Sequence, residues 1–188
     1  WTGLERLLTD MIRDGWFSGV DAGLDVVMAR MDGETGLYNR EHFESLVDDA
    51  IGDNLHGRER RASDGPEVGN VAVLAVRVRN WEDLAVTMTD AEETATVAQV
   101  GAAMRGAFRV DDVIGRISDD VFGLLLRGCP VPMHDTIAER CRVDLADMRV
   151  RTAQGWSSLD VAIRTASFSG AETGATLTVS VERMLADE

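Results

Sequence analysis

Lysine is missing from this chain: all 19 basic residues among its 188 are arginine. That excludes a phosphate-loop lysine and a Schiff-base lysine. Cysteine is scarce. Its two residues, Cys129 and Cys141, fit no metal or redox spacing and are expected as reduced thiols of a cytoplasmic fold. The three histidines, His42, His56 and His134, form no H-x-x-x-H pattern, so no zinc site is expected. No apolar run reaches membrane-spanning length, and no signal-peptide pattern is visible. The chain begins at Trp1 rather than Met. It is therefore expected to be a fragment or a trimmed piece of a protein, which leaves a sensor or membrane segment elsewhere open. Positive charge is also short, with 33 acidic residues and a net charge of −14. Such a chain is a poor general partner for nucleic acid or an anionic membrane. Any nucleotide must be met by a local cluster of arginines.

What is present suits one domain with a short extension. The apolar fraction, 45%, is ordinary for a chain that buries a core. Leu4, Leu7, Leu8, Met11 and Ile12 form one helical stripe. Gly15, Gly19 and Gly23 interrupt it, and a second helical run follows through Val26 to Met28. Residues 1–31 thus read as an N-terminal helical extension or linker. It either packs on the main domain or carries a dimer contact or signal. The main domain spans 32–188.

Within it, Phe43, Leu46, Val47, Ala50 and Ile51 mark an amphipathic helix. Residues 52–68 are polar and glycine-containing and read as an exposed loop, with Arg58, Arg60 and Arg61 within reach of solvent or a phosphate. Residues 70–79 alternate around Val71, Val73 and Ala75 and suit a strand. Val97, Val100, Met104 and Phe108 space a long helix. Residues 113–117 and 121–126 flank a Ser-Asp-Asp turn and read as a hairpin. Ile137, Cys141, Leu145 and Met148 mark the next helix, 159–168 another strand, and a last helix begins near Val181. This order predicts a ferredoxin-like α/β (α+β) sandwich, with an antiparallel-containing central sheet flanked by helices.

Four stretches carry a resemblance. Asp32-Gly-Glu-Thr-Gly-Leu-Tyr-Asn-Arg40 is similar to D-x-L-T-G-L-x-N-R. The strand from Val73 to Arg79 follows. Arg109-Val-Asp-Asp112-Val-Ile-Gly-Arg116 then runs into Ile117-Ser118-Asp119-Asp120-Val121-Phe122. Ala166-Ser-Phe-Ser-Gly-Ala171 is similar to a "vSiGiA" strand. Together they resemble the GGDEF domain of diguanylate cyclases, which join two GTP into cyclic di-GMP. The resemblance covers residues 32–188.

That reaction needs a divalent metal held by carboxylates, to neutralise phosphate charge and activate a 3′-hydroxyl. The resemblance puts an acidic metal ligand of the first strand at Arg77 and a second acidic position at Arg79. Residues two apart on a strand share a face, so both guanidiniums are expected where a metal would sit. The signature glycines are Ser118 and Asp119. The third position keeps an acid, Asp120, and the glutamate position is Val121. The guanine-reading pair falls on Ala85 and Val86. The resemblance thus implies a degenerate domain: no catalytic residue, no metal and no cofactor. Arg77 is expected to pair with Asp120, and Arg116 to bridge a neighbouring acid.

Another part of the pattern is retained. Many diguanylate cyclases carry an inhibitory product site, R-x-x-D, five residues before the signature. Arg109 and Asp112 match its residues and its spacing, and Arg140, in Ala138-Glu139-Arg140, matches a further arginine of that site. An arginine stacks on guanine or forks hydrogen bonds to it or to a phosphate. Without such a ligand, Arg109 ends a helix and Asp112 caps the hairpin. The expectation is a cyclic di-GMP receptor binding through Arg109, Asp112 and Arg140. A homodimer bridged by ligand, or a protein partner of the N-terminal helix, would carry its output. The alternative is a module for dimerisation or docking that binds no nucleotide. A third reading, an impaired GTP binder, is weakened by Ala85 and Val86.

Overall fold

The computed structural model describes residues 28–60, 71–108 and 112–186. The helical stripe expected near the N-terminus, Arg61 and Arg109 lie outside the described residues. In chain order the elements are α1 (Arg40–Arg60), β1 (Val71–Val78), α2 (Trp81–Ala85), α3 (Asp90–Ala107), β2 (Val113–Arg116) and β3 (Val121–Arg127). They continue as α4 (Val131–Ala146), β4 (Arg149–Thr152), β5 (Gly155–Ser158), β6 (Val161–Ser167) and α5 (Gly174–Ala186). Among the described residues no helix is long and apolar enough to cross a membrane.

Four strands form one antiparallel sheet in the order β2-β3-β1-β6. With the helices between them this is the β-α-β-β-α-β arrangement of a ferredoxin-like sandwich, the fold class expected from the element order. Helices α3 and α4 pack together beside one face; α1 and α5 pack on the other. Leu74 and Val76 of β1 join Val97, Met104 and Leu145 in the first core cluster. Val73 and Ala75 join Phe43, Val47, Leu177 and Val181 in the second. Strand β1 is therefore buried on both sides. Its sequence is a nearly unbroken apolar run rather than the one-sided alternation expected for it.

Local signals set the helix starts. The Asn39 carboxamide accepts from the His42 amide at 2.9 Å and begins α1. Thr89 and Glu92 form a reciprocal capping box at α3. Thr173 accepts from the Thr176 amide at 3.2 Å ahead of α5.

The β2–β3 hairpin is held to α1 by a slot for Phe43. Gly115 and Gly123 are direct cross-strand partners, and both lie under that ring. A Cβ on Gly115 would come within 2.7 Å of Phe43 Cβ, and one on Gly123 within 2.8 Å of Phe43 Cζ. Phe43 is fully buried there.

Three expectations need correction. The region read as a loop from residue 52 is helical to Arg60. From Gly52 to Leu55 no residue is buried, and the sequence from 52 to 60 lacks the apolar period that marks a helix. The last helix starts at Gly174, one and a half turns or more before Val181, because Thr173 and Thr176 cap it. The β4–β5 hairpin was not anticipated. Only Val150 and Thr152 of its strands are buried, and it turns through Gly155 at φ +118°. The alternation Arg149, Val150, Arg151, Thr152 before Gln154-Gly155 was its available signal.

Candidate functional site

The signature turn closes at the end of the sheet. The Ile117 and Ser118 amides both donate to Val121 O, at 2.8 and 3.1 Å. The Val78 amide donates to Asp120 O at 2.9 Å and ties the turn to β1. Arg77 stands opposite Val121 on β3. Its Nε donates to Asp120 Oδ2 at 2.7 Å, the ion pair expected from the sequence. Ser118 Oγ donates to the other carboxylate oxygen at 3.0 Å. Both oxygens of Asp120 are thus engaged within the chain. Val121 is buried in the α1/α5 core. Asp119 is almost fully exposed on the turn.

The two arginines do not converge. Arg79 lies beyond the last residue of β1, so strand alternation no longer aims it. Its Nη2 pairs with Asp160 at 3.2 Å and it lines a groove beside α4. Ala85 ends the short helix α2, and Val86 after it is 88% exposed.

A strap holds the turn from below. Tyr38 N donates to Ile114 O at 3.1 Å, and Arg116 N donates to Tyr38 O at 2.8 Å, so the strap bridges the outer edge of β2. Asp32 Oδ1 accepts from the Thr35 amide at 2.9 Å and the Thr35 hydroxyl at 2.6 Å. The Arg116 guanidinium reaches Asp32 at 3.4 Å and also pairs with Glu34. Burial raises the Asp32 pKa, but the Thr35 hydrogen bonds and the Arg116 charge outweigh it and hold the carboxyl below its ordinary value. Burial likewise opposes the charge on Arg116, and Glu34 and Asp32 more than restore it. Arg116 is the structural bridge expected of it.

A second region lies between β3, the start of β2 and α4. A cavity of about 590 Å³ is lined by Phe108, Asp112, Cys129, Met133, Ile137 and Arg140, among others. The Arg140 guanidinium carbon sits 5.6 Å from the centre of the Phe108 ring, a cation–π contact. Burial pushes the Cys129 thiol pKa up. Asp112 and Arg140, picked from the sequence, therefore line one cavity; Arg109 lies outside the described residues.

A family model described as "Diguanylate cyclase, GGDEF domain" matches residues 29–185. The chain belongs to the GGDEF family. This GGDEF domain is 29% identical over 128 residues to the Escherichia coli K12 protein named "Probable diguanylate cyclase DgcC". That match covers 66% of the chain and 31% of the relative, so the chain spans less than a third of the relative's length. The solved coiled coil and GGDEF domain of DgcB from Caulobacter crescentus, in complex with c-di-GMP, superposes with a TM-score of 0.77 at 15% identity, covering 97% of this chain and 92% of that one. The FimX GGDEF domain of Pseudomonas aeruginosa superposes at 0.71 with 18% identity, covering 84% and 92%. At these identities the likeness to solved structures concerns the fold.

Sequence reasoning missed several members of the GGDEF domain's two regions. Glu34 was not named as a partner of Arg116, although it sits two residues after Asp32. Ser118 was read only as a lost glycine, yet its hydroxyl orients Asp120. Phe108 was read as a helix-spacing residue, and its place under Arg140 depends on how α3 and α4 pack.

Proposed function

We propose that this GGDEF domain is a cyclic di-GMP receptor that does not itself make cyclic di-GMP. The observation that carries the reading is the shared cavity of Asp112 and Arg140, with Arg109 three residues before Asp112 in the chain. Its volume, about 590 Å³, is within the range of small-molecule sites. The apolar wall of Phe108, Met133 and Ile137 suits the face of a purine. The Asp112 carboxylate can accept from guanine N1–H and N2–H, and Arg140 can fork to O6 and N7, or to a phosphate. Its guanidinium carbon, 5.6 Å from the centre of the Phe108 ring, lies beside this apolar wall.

The loss of synthesis rests on the turn. The residues do not fit a divalent metal. Arg77 brings a cation to a position where the family has a carboxylate, and Val121 has no side-chain oxygen to offer. Asp120, the acid that is left, already holds Arg77 and Ser118. The exposed carboxylate of Asp119 adds repulsion toward a triphosphate. Ala85 and Val86 offer no side-chain hydrogen bond to guanine.

Calorimetry with cyclic di-GMP tests the receptor. Saturable low-micromolar binding is expected, and it should be sensitive to salt, because the local arginines act against the repulsive background of a chain of net charge −14. Arg109→Ala is expected to abolish it. Loss of the charged hydrogen bonds of Arg140 or Asp112 should cost about 1.5–3 kcal/mol each, roughly ten- to hundredfold in affinity. No heat at high ligand concentration in low salt would end the receptor reading and leave an interaction module. Formation of cyclic di-GMP from GTP and magnesium would end the other half.

A further inference from the structure

The strap that crosses the outer edge of β2 leaves a second cavity between itself, α3 and the start of β2. Met31, Leu37, Tyr38 and Ile114 line it, together with Arg105 and Asp112. Leu37 and Ile114 are buried. Backbone hydrogen bonds fix these walls: Asp32 N donates to Leu37 O at 2.8 Å, and Tyr38 N to Ile114 O at 3.1 Å. The Tyr38 ring meets the His42 ring edge-on, with centroids 5.0 Å apart. The cavity is thus built from the strap's own contacts. Its volume, about 280 Å³, is under half that of the nucleotide cavity. Ordinary small-molecule sites span roughly 300–1,000 Å³, so this one suits part of a ligand rather than a whole nucleotide.

Two charged groups set its chemistry. Arg105 Nη1 donates to Gly36 O at 2.8 Å, and Nη2 to Thr35 O at 2.5 Å. A guanidinium has five N–H groups, so the others remain uncommitted among the described residues. Asp112 lines this cavity and the nucleotide cavity alike, so its side chain stands in the wall between them. A carboxylate has two oxygens and about four acceptor sites, enough to serve both sides of such a wall. A cationic ligand would be repelled by Arg105 and an anionic one by Asp112. The fitting ligand is neutral and flat, with acceptors for the guanidinium and donors for the carboxylate. Guanine has both, O6 with N7 and N1–H with N2–H. Adenine carries a lone pair at N1 in place of that donor, and would set it against the carboxylate.

We propose, on the basis of the receptor reading, that the strap cavity is a second guanine seat, so that both bases of cyclic di-GMP are read, one on each side of Asp112. Arg140 and Asp112 hold the first base. Arg105 and Asp112 hold the second, with Leu37 and Tyr38 as its apolar walls.

Calorimetry with cyclic di-GMP and with the mixed guanine–adenine cyclic dinucleotide tests the second seat. The mixed ligand keeps one guanine for the Arg140 cavity and should bind the wild-type protein about ten- to hundredfold more weakly. Met31 lines the strap cavity and not the nucleotide cavity. Met31→Trp should fill the second seat, and the two ligands should then bind alike. Tyr38 is the only tyrosine of the chain, so its ring, labelled with ¹³C, reports on this cavity alone. Its signals should shift on saturation with cyclic di-GMP and show a nuclear Overhauser contact to a guanine proton. If Met31→Trp fails to fold, the Tyr38 signals decide. Equal wild-type affinity for the two ligands would overturn the second seat and leave the receptor reading standing. So would discrimination that survives in folded Met31→Trp, or binding of cyclic di-GMP with no contact to the Tyr38 ring. Absence of binding by either ligand would end both readings.

Discussion

Replacing Gly123 by alanine probes how the signature hairpin is fastened to α1. The new methyl would lie 2.7 Å from Ile117 Cδ1, 2.8 Å from Phe43 Cζ and 2.9 Å from Phe43 Cε1. Overpacking of this kind costs about 1–3 kcal/mol. At about 2–4 °C per kcal/mol for a domain of this size, the midpoint of melting should fall by roughly 2–12 °C. The reasoning is sharper in a cycle with Phe43→Ala, which alone should cost about 3–5 kcal/mol. Without the ring, the Gly123 methyl has only the far end of Ile117 to displace. Alanine is then the better strand residue by about 0.5–1 kcal/mol, so Gly123→Ala should become neutral or stabilising. Gly115→Ala should behave differently. Its methyl would lie 2.7 Å from Phe43 Cβ itself, an atom that alanine at position 43 keeps. Its cost should persist in the Phe43→Ala background. Urea unfolding followed by circular dichroism, with unchanged m-values, measures all four effects. Additivity of Gly123→Ala with Phe43→Ala would refute the slot, as would equal rescue of both glycine variants.

Other outcomes follow from the same geometry. A double-mutant cycle of Arg77→Met and Asp120→Asn should give a coupling of about 0.2–1 kcal/mol, reduced at high salt, since both side chains are partly exposed. Glu172 accepts from the Ser169 hydroxyl and from the Ser169, Gly170 and Ala171 amides, which lower its pKa to about 2. A depressed folded pKa means its contribution is complete above the ordinary glutamate value and is lost as pH falls toward the folded one. A carboxyl NMR titration should place the midpoint near 2, and a midpoint at the ordinary glutamate value would contradict the cradle. Burial, with Asp144 nearby, pushes the Cys141 thiol up to about 12. In native protein at pH 8 a thiol reagent should therefore spare Cys141 and label Cys129 only slowly; mass spectrometry of the modified peptides checks this.

Legibility differed between parts of the molecule for physical reasons. Strands β1 and β3 and helix α3 were readable because each buries enough residues to leave an apolar period or run. The far end of α1 carries no apolar period in its sequence, and the β4–β5 hairpin buries little, so both read as loops. The partnership of Arg77 with Asp120 was readable, because a cation near the end of β1 that faces the acid retained in the signature turn has an obvious partner. The path of Arg79 was not. It depends on Asp160, 81 residues away, which reaches it only through the register of β6.

The sequence by itself determined the family pattern, the absence of lysine, the residue types at the signature turn and the R-x-x-D spacing. These are matters of identity and local order, and the chain carries them before it folds. Tertiary structure decided which of those residues meet. It set Asp112 and Arg140 on one cavity although 27 residues separate them, because α4 returns along the face that carries α3. It sent Arg79 away from Asp120 and toward α4. It also left β6 at the sheet's edge, with its outward peptide groups chosen by the parity of one ladder. Such pairings are long-range, and their geometry arises only when helices and strands bury their apolar faces together.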